Sequence, residues 1–268
     1  MMSHNQRTAQ HQHWNIHRYT AVASTQELAL TEARRIIDTA STSNVRTAYV
    51  ANEQSNGYGQ HGRKWLSPAG GLYLSMIFPD MPSTVQPRLP LVMGIAVATC
   101  IERLGIPRTM IRWPNDVLIA GKKVAGVLSQ AVYAGSRNAA VVGIGLNLNT
   151  DLAVLGSQVS RSSTSVAAFT NSTLDPETTL TMLLEQVDMV ADHLLAGRWE
   201  TLYGELKSRD ALQGCLVSLR AADQVMTGRA DGFADDGSLR LHTADGVKLV
   251  SSGTIQTVNG DPIRYDEK

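Results

Sequence analysis

Apolar and polar residues alternate from Trp14 to Ala21 (WNIHRYTA), and this period predicts a strand. The period then lengthens. Leu28, Ala29, Ala33, Ile36 and Ile37 recur at helical spacing up to Asp38, with Ser24 or Thr25 as N-cap, Glu27 in the first turn, and Ser41, Thr42, Ser43 and Asn44 as the stop. A short buried strand, residues 47–51, runs into the polar, glycine-punctuated stretch EQSNGYGQHGRKW at 53–65, which reads as a loop. GGLYLSMIF at 70–78 predicts a strand. Residues 87–104 predict a long apolar helix with Pro87 and Pro90 near its start and Gly105 at its end. Met110 to Trp113 is strand-like until Pro114 breaks it, and the pattern resumes from Val124 to Ala131 after a turn at Ala120-Gly121. A further apolar strand covers 139–149, and helices fill 176–208 behind an Asp175 cap and Pro176. From Leu212 the texture changes to five short strands, at 215–220, 224–231, 238–243, 247–251 and 254–258, spaced by Asp223, DDG and DG turns. The expected fold class is α+β. A flexible tail (1–13) precedes a domain with a mixed or antiparallel sheet and helices (14–210), and a small barrel follows (211–268).

At about 150 residues per domain, 268 residues correspond to one large or two unequal domains. Hydrophobic residues make up 43% and charged residues 18%, enough for a sizeable core and against wholesale disorder. Lys plus Arg and Asp plus Glu are both 24, so no global basic field draws the surface to nucleic acid or membrane. Any phosphate chemistry must be local. Cys100 and Cys215 lack metal-type spacing and read as reduced thiols. The sequence has no 18-residue apolar run and the N-terminus no targeting pattern, which points to the cytoplasm. His4, His11, His13 and His17 are joined by no cysteine or carboxylate, so they read as a polar leader rather than a metal site.

Four polar constellations carry candidate chemistry. In the 53–65 loop, Gly57, Gly59 and Gly62 permit positive φ and close backbone approach, which suits either a plain surface turn or an anion-binding nest of free N–H groups; Arg63, Lys64 and the closing Trp65 favour the nest. In Arg112-Trp113-Pro114-Asn115-Asp116, proline presents Asn115 and Asp116 at a strand end, where an amide and a carboxylate suit magnesium and phosphate oxygens; an Asx turn accounts for the same two residues. In GKKVAG, one of Lys122 and Lys123 enters a strand of small residues and points into a site with little water. In GIGLNLN, Gly143 and Gly145 permit approach of a flat ligand, or simply a close strand crossing, and Asn147 and Asn149 share a side.

Together these motifs resemble the biotin protein ligase family in its short form, without an N-terminal DNA-binding domain. The similarity runs from about residue 17 to the end: Ser24-Thr25-Gln26 in place of Ser-Thr-Asn, Gln54 with GYGQHGRKW, WPND, GKKVAGVL and GIGLNLN. The resemblance implies a class II synthetase-like catalytic core, a C-terminal SH3-like barrel, and an enzyme that joins biotin to ATP as biotinyl-5′-adenylate. It further implies transfer of biotin to one lysine of a carrier domain in acetyl-CoA or pyruvate carboxylase. It places Lys123 on the biotin carboxylate and phosphate, Arg63 on the adenylate, and Asn115 and Asp116 at nucleotide phosphate and Mg2+. Ser24, Thr25, Gln26 and Gln54 are expected on the ureido ring, and Trp65, Gly126, Gly143 and Gly145 around the biotin pocket. The loop residues Gly57, Tyr58, Gly59, Gln60, His61 and Gly62, with Asn147 and Asn149, are expected around biotin and nucleotide.

The family's loop usually reads Gly-Arg-Gly-Arg-x-Gly-Arg, whereas Tyr58 and Gln60 stand here at the first two arginines. Each lost charge-assisted hydrogen bond costs roughly 1.5–3 kcal/mol, so a leakier adenylate site is expected. Equal adenylate dissociation from this protein and a Tyr58→Arg, Gln60→Arg double variant would exclude that. The alternatives are a lipoate- or octanoate-handling ligase, disfavoured by WPND and the barrel, and a ligand-sensing paralogue, weakened by retention of Lys123, Arg63 and WPND. With about thirteen residues ahead of the first strand, operator DNA binding is not expected, nor is membrane binding. Homodimerisation is common in the family.

Overall fold

The computed structural model of the chain describes residues 14–39, 46–156 and 161–263; the expected tail at 1–13 and the helix stop at 41–44 lie outside them. Strand β1 (Trp14–Val22), helix α1 (Thr25–Asp38) and β2 (Arg46–Gln54) open the fold, and the helical crossover lets β1 and β2 pair in parallel. Next come β3 (Leu72–Pro79), α2 (Leu89–Arg103), β4 (Met110–Arg112), β5 (Asp116–Ile119), β6 (Lys122–Ala134) and β7 (Arg137–Leu146). These strands form one mixed seven-stranded sheet in the order β1-β2-β3-β7-β6-β5-β4, antiparallel beyond the first pair.

Ser24 caps α1 by accepting from the Glu27 N–H, and Ala29, Leu30, Ala33 and Ile37 turn one stripe of the helix onto Tyr49, Ile77, Val132, Ala139 and Val141 of the sheet. The other face of the sheet meets α2 and two later helices, α4 (Pro176–Leu195) and α5 (Trp199–Arg209). Asp175 caps α4 as the sequence predicts, with its carboxylate accepting from Thr178 N at 3.0 Å. The main core lies on this side, between β3, β7 and β6 and the apolar α2.

Three local expectations change. Asp116–Ile119 is a strand of its own, so residues 110–134 are a three-strand meander rather than a two-strand ribbon. Its apolar run VLI is short enough that Pro114 and Asn115 masked it in the pattern. A five-residue helix, α3 (Val166–Thr170), is capped by Ser165 and was not anticipated. The strand ending in GIGLNLN stops at Leu146, leaving Asn147 and Asn149 in the turn beyond it.

All five expected C-terminal strands are present: β8 (Leu216–Ala221), β9 (Gln224–Phe233), β10 (Leu239–Thr243), β11 (Gly246–Val250) and β12 (Thr254–Val258), followed by β13 (Asp261–Pro262). Their antiparallel order is β11-β10-β9-β8-β12-β13, with bulges in the β9–β10 and β8–β12 pairs that curl the small domain. Its inner residues Val217, Leu219, Phe233, Leu241 and Ile255 join the main core. The DDG turn docks on the larger domain, where Trp113 Nε1 donates to Gly237 O at 3.2 Å.

Candidate active site

The start of α1, the 57–65 loop and the strands β3, β5, β6 and β7 surround a cavity of about 870 Å³, measured out into its open mouth. Its floor is a buried amide and hydroxyl network. Thr25 donates from both N and Oγ1 to Gln54 Oε1, at 2.8 and 3.1 Å, and Gln54 Nε2 donates to Ser67 Oγ at 2.9 Å. Thr25 Oγ1 lies 2.9 Å from Ser75 Oγ, which also donates to Gln26 Oε1 at 3.0 Å, while Gln26 Nε2 donates to Gln130 Oε1 at 2.9 Å. Ser24, Thr25 and Gln26 are all buried. Because buried polar groups without partners are costly, this network fixes side-chain orientations ahead of any ligand. Ser67, Ser75 and Gln130 escaped the sequence reading. The available signal was Ser75, one polar residue inside the otherwise buried run of β3.

The glycine loop is a hairpin closed on itself: Trp65 N donates to Gly57 O at 2.9 Å and Gly59 N to Arg63 O at 2.8 Å. Gly57 is required at its base, since a Cβ there would lie 2.5 Å from Ser67 Oγ. The Tyr58 hydroxyl donates to Glu27 Oε1 at 2.6 Å, and burial raises its pKa above the ordinary phenol value. Tyr58, Gly59, Gln60, Arg63, Lys64 and Trp65 all line the cavity. His61, at φ 58°, and Gly62 face instead a neighbouring cleft shared with Gln130 and Ser252. Arg63 NH2 donates to Thr254 Oγ1 at 3.4 Å, and Gly253 and Thr254 line the cavity from the turn between β11 and β12. No sequence pattern singled out that turn, because only folding brings the C-terminal sheet to the mouth.

The Gly143 and Gly145 positions make room for protein side chains as well as for a ligand. A Cβ at Gly145 would stand 2.5 Å from Trp65 Nε1, and one at Gly143 2.5 Å from Gln26 Oε1. The indole therefore lies flat on Gly145 and Gly126 and forms one wall. Over it sits Lys123, its Nζ 5.0 Å from the ring and 2.5 Å from Asp116 Oδ1. Arg112 NH2 takes the other carboxylate oxygen at 2.7 Å. Burial alone would push the Asp116 carboxyl up, but Lys123 and Arg112 more than offset it and hold the group below the ordinary carboxylate range. Of the two lysines, Lys122 is exposed and Lys123 lines the cavity.

Asn115 is anchored by Nδ2 donating to Val127 O at 2.7 Å. Both oxygens of Asp116 being held by cations, this pair does not fit a protein-held magnesium site, and the described residues hold no cluster of three His, Cys, Asp or Glu. Asn147 and Asn149 do not reach the cavity. Asn147 Nδ2 donates to Thr164 O, and Asn149 exchanges two hydrogen bonds with the Leu174 backbone, because both follow the end of β7 and brace the 164–174 segment.

Chemically, the site offers an amide-lined floor, an apolar wall of Trp65, Leu74, Val127 and Ile144, and two fixed cations, Lys123 and Arg63, facing the same space. Such a cavity suits a ligand with a polar head and an aliphatic body whose anionic end meets a second anion.

The biotin/lipoate A/B protein ligase family matches residues 24–149, and the biotin protein ligase C terminal domain matches residues 216–257. The biotin--[acetyl-CoA-carboxylase] ligase of Paracoccus denitrificans is 30% identical over 222 residues, which cover 77% of this chain and 88% of that protein. The bifunctional ligase/repressor BirA of Bacillus spizizenii is 29% identical over 220 residues, 78% of this chain but only 66% of the longer relative. Among solved structures, the biotin protein ligase from Aquifex aeolicus in complex with biotin and ATP superposes with a TM-score of 0.75 at 28% identity, covering 90% of this chain and 97% of the other. With both of its domains matched in chain order and a relative of this identity spanned almost throughout, the chain belongs to the biotin protein ligase family.

Proposed function

We propose that this protein is an ATP-dependent biotin protein ligase that makes biotinyl-5′-AMP and transfers biotin to a lysine of the carrier domain of acetyl-CoA or pyruvate carboxylase. The observation that carries this reading is Lys123, fixed by Asp116 and Trp65 so that it lines, with Arg63, a cavity floored by the Gln26 and Gln54 amides. In the first step a biotin carboxylate oxygen attacks the α-phosphorus of ATP, an O–P bond forms, and the bond to the bridging oxygen breaks to release pyrophosphate. Two anions meet, so the protein contributes cations and position rather than a nucleophile. Lys123 neutralises the carboxylate and the α-phosphate together, while Arg63 holds the nucleotide side. Magnesium enters bound to ATP as part of the substrate. In the second step the neutral carrier amine attacks the acyl carbon, the C–N bond forms, the C–O bond to AMP breaks, and the amine proton passes to solvent.

The match to the biotin-specific C-terminal domain favours biotin over lipoate. Both cysteines are free, as suits a protein of the cytoplasm, and no helix of the described residues is long and apolar enough to cross a membrane. The test is incubation with biotin, Mg-ATP and a biotin carboxyl carrier domain, following AMP release and acceptor mass. The expected result is one biotin-sized mass gain that disappears in Lys123→Ala; absence of biotin-dependent AMP would overturn the reading.

A further inference from the structure

The glycine hairpin has ligand cavity on one side and a second cleft on the other, and Tyr58, Gly59 and Gln60 border both. It is a partition between the two. Its internal bonds, Gly57 to Trp65 and Gly59 to Arg63, keep its shape, and its base is held by Asn56 N donating to Ala23 O and by the Trp65 ring on Gly145. On the C-terminal side Arg63 reaches Thr254. On the opposite side the Tyr58 hydroxyl donates to Glu27 in the first turn of α1, at 2.6 Å, and lies 3.3 Å from Gln130 Oε1 on β6.

Gln130 Oε1 accepts from Gln26 Nε2 of the cavity floor and borders the Tyr58 hydroxyl, whose single proton goes to Glu27, so the hairpin's anchor adjoins the floor network. Glu27 does not line the cavity, and its carboxylate meets the hairpin through Tyr58 rather than the floor amides.

From this arrangement we infer that Glu27 and Gln130 form a clasp on Tyr58, making Tyr58 a positioning residue that holds the hairpin shut over the activated intermediate. The inference rests on the adenylate-forming reading above. It also revises the expectation from sequence: Tyr58 replaces an arginine not as a weaker phosphate ligand but as the anchor of the hairpin. The retention lost with the arginine's charge is supplied by holding the partition in place.

The test uses the full chain and reads the hairpin before any ligand is added. Trypsin cleavage after Arg63 and Lys64, quantified by mass under native conditions, is expected to accelerate about tenfold in Tyr58→Phe and in Glu27→Ala, as loss of a hydrogen bond to a charged group predicts. Glu27→Gln, which keeps an acceptor, restores cleavage to within about twofold of the parent. The double variant Tyr58→Phe, Glu27→Ala cleaves no faster than either single one, because both remove the same bond. In enzyme loaded with biotin and Mg-ATP but no carrier, dissociation of the adenylate rises by the same factor and Glu27→Gln again rescues it. Melting curves of the parent and the four variants separate clasp loss from unfolding. Unchanged cleavage in the single variants, or additive effects in the double, overturns the clasp. If the parent makes no adenylate, the functional reading fails while proteolysis still decides the clasp.

Discussion

Replacing Asp116 by asparagine removes one negative charge from a place where two cations have been brought together. The carboxylate side chain is 5% exposed, and it holds Lys123 at 2.5 Å and Arg112 at 2.7 Å, whose side chains are 22% and 11% exposed. Breaking one partner out of a buried ion pair costs about 3–5 kcal/mol, since the remaining charge is left uncompensated. Lys123 faces an open cavity and regains some water, so the lower end, about 3 kcal/mol, is expected. Urea unfolding at pH 7 reads this directly. The carboxyl is held below its ordinary range, so its contribution to stability is complete above about pH 4 and is lost as pH falls through the depressed value. The gap between parent and Asp116→Asn is therefore flat from pH 8 to about pH 4 and narrows below. The same pair of proteins separates two roles for this residue. As the counter-ion of Lys123, Asp116 sets the place of the ammonium, and its loss raises KM for biotin about tenfold or more without changing the magnesium requirement for AMP release. A destabilisation under about 1 kcal/mol, combined with a tenfold higher magnesium requirement, would falsify the counter-ion account and restore a metal-ligand role.

Three further outcomes follow from the geometry. In Gly145→Ala the new Cβ lies 2.5 Å from the Trp65 indole nitrogen, so the ring must leave its glycine bed and Lys123 loses its platform; we expect about 1–3 kcal/mol of overpacking strain and at least a tenfold rise in biotin KM, and an unchanged KM refutes it. Gln60→Arg leaves the Tyr58 clasp intact while adding a cation to the cavity wall, and slows adenylate dissociation by about ten- to a hundredfold; equal dissociation rates would remove any link between the altered loop and leakage. Asp210, at the junction between α5 and the C-terminal sheet, has one buried oxygen without a partner, and burial pushes its carboxyl up from 3.8 to about 6. A raised carboxyl pKa penalises the folded state once the pH exceeds about 6 and ceases to do so below about 4, at about 1.4 kcal/mol per unit of difference, or about 3 kcal/mol at most. Asp210→Asn is thus more stable than the parent in urea unfolding at pH 8, with the advantage shrinking toward pH 4; equal stabilities at both pH values would show that the buried carboxyl carries no penalty.

Much of this molecule follows from local rules. The cap at Ser24, the stripe of α1, the Asp175-Pro176 helix start, the glycine stop of α2 and the five C-terminal strands are each written within about fifteen residues of sequence, because capping, periodicity and turn chemistry act over that range. The cations and glycines of the site were legible as candidates in short motifs: the loop pattern offered an anion nest beside Arg63 or a plain turn, GKKVAG left Lys122 and Lys123 open, and the family resemblance singled out Lys123. Partnership was not legible. Whether Asp116 meets a metal or Lys123 depends on the β5–β6 register, and Asn147 and Asn149 became braces because β7 ends at Leu146, ahead of both. Tyr58 faces Glu27, and Thr254 meets Arg63 across 191 positions, only because separate elements pack together. Sequence alone determined which charges, amides and hinges the chain carries, since these are properties of residues and their near neighbours. Tertiary structure decided which of them compensate one another, since Coulomb and hydrogen-bond energies depend on distances through space that the order of residues does not encode.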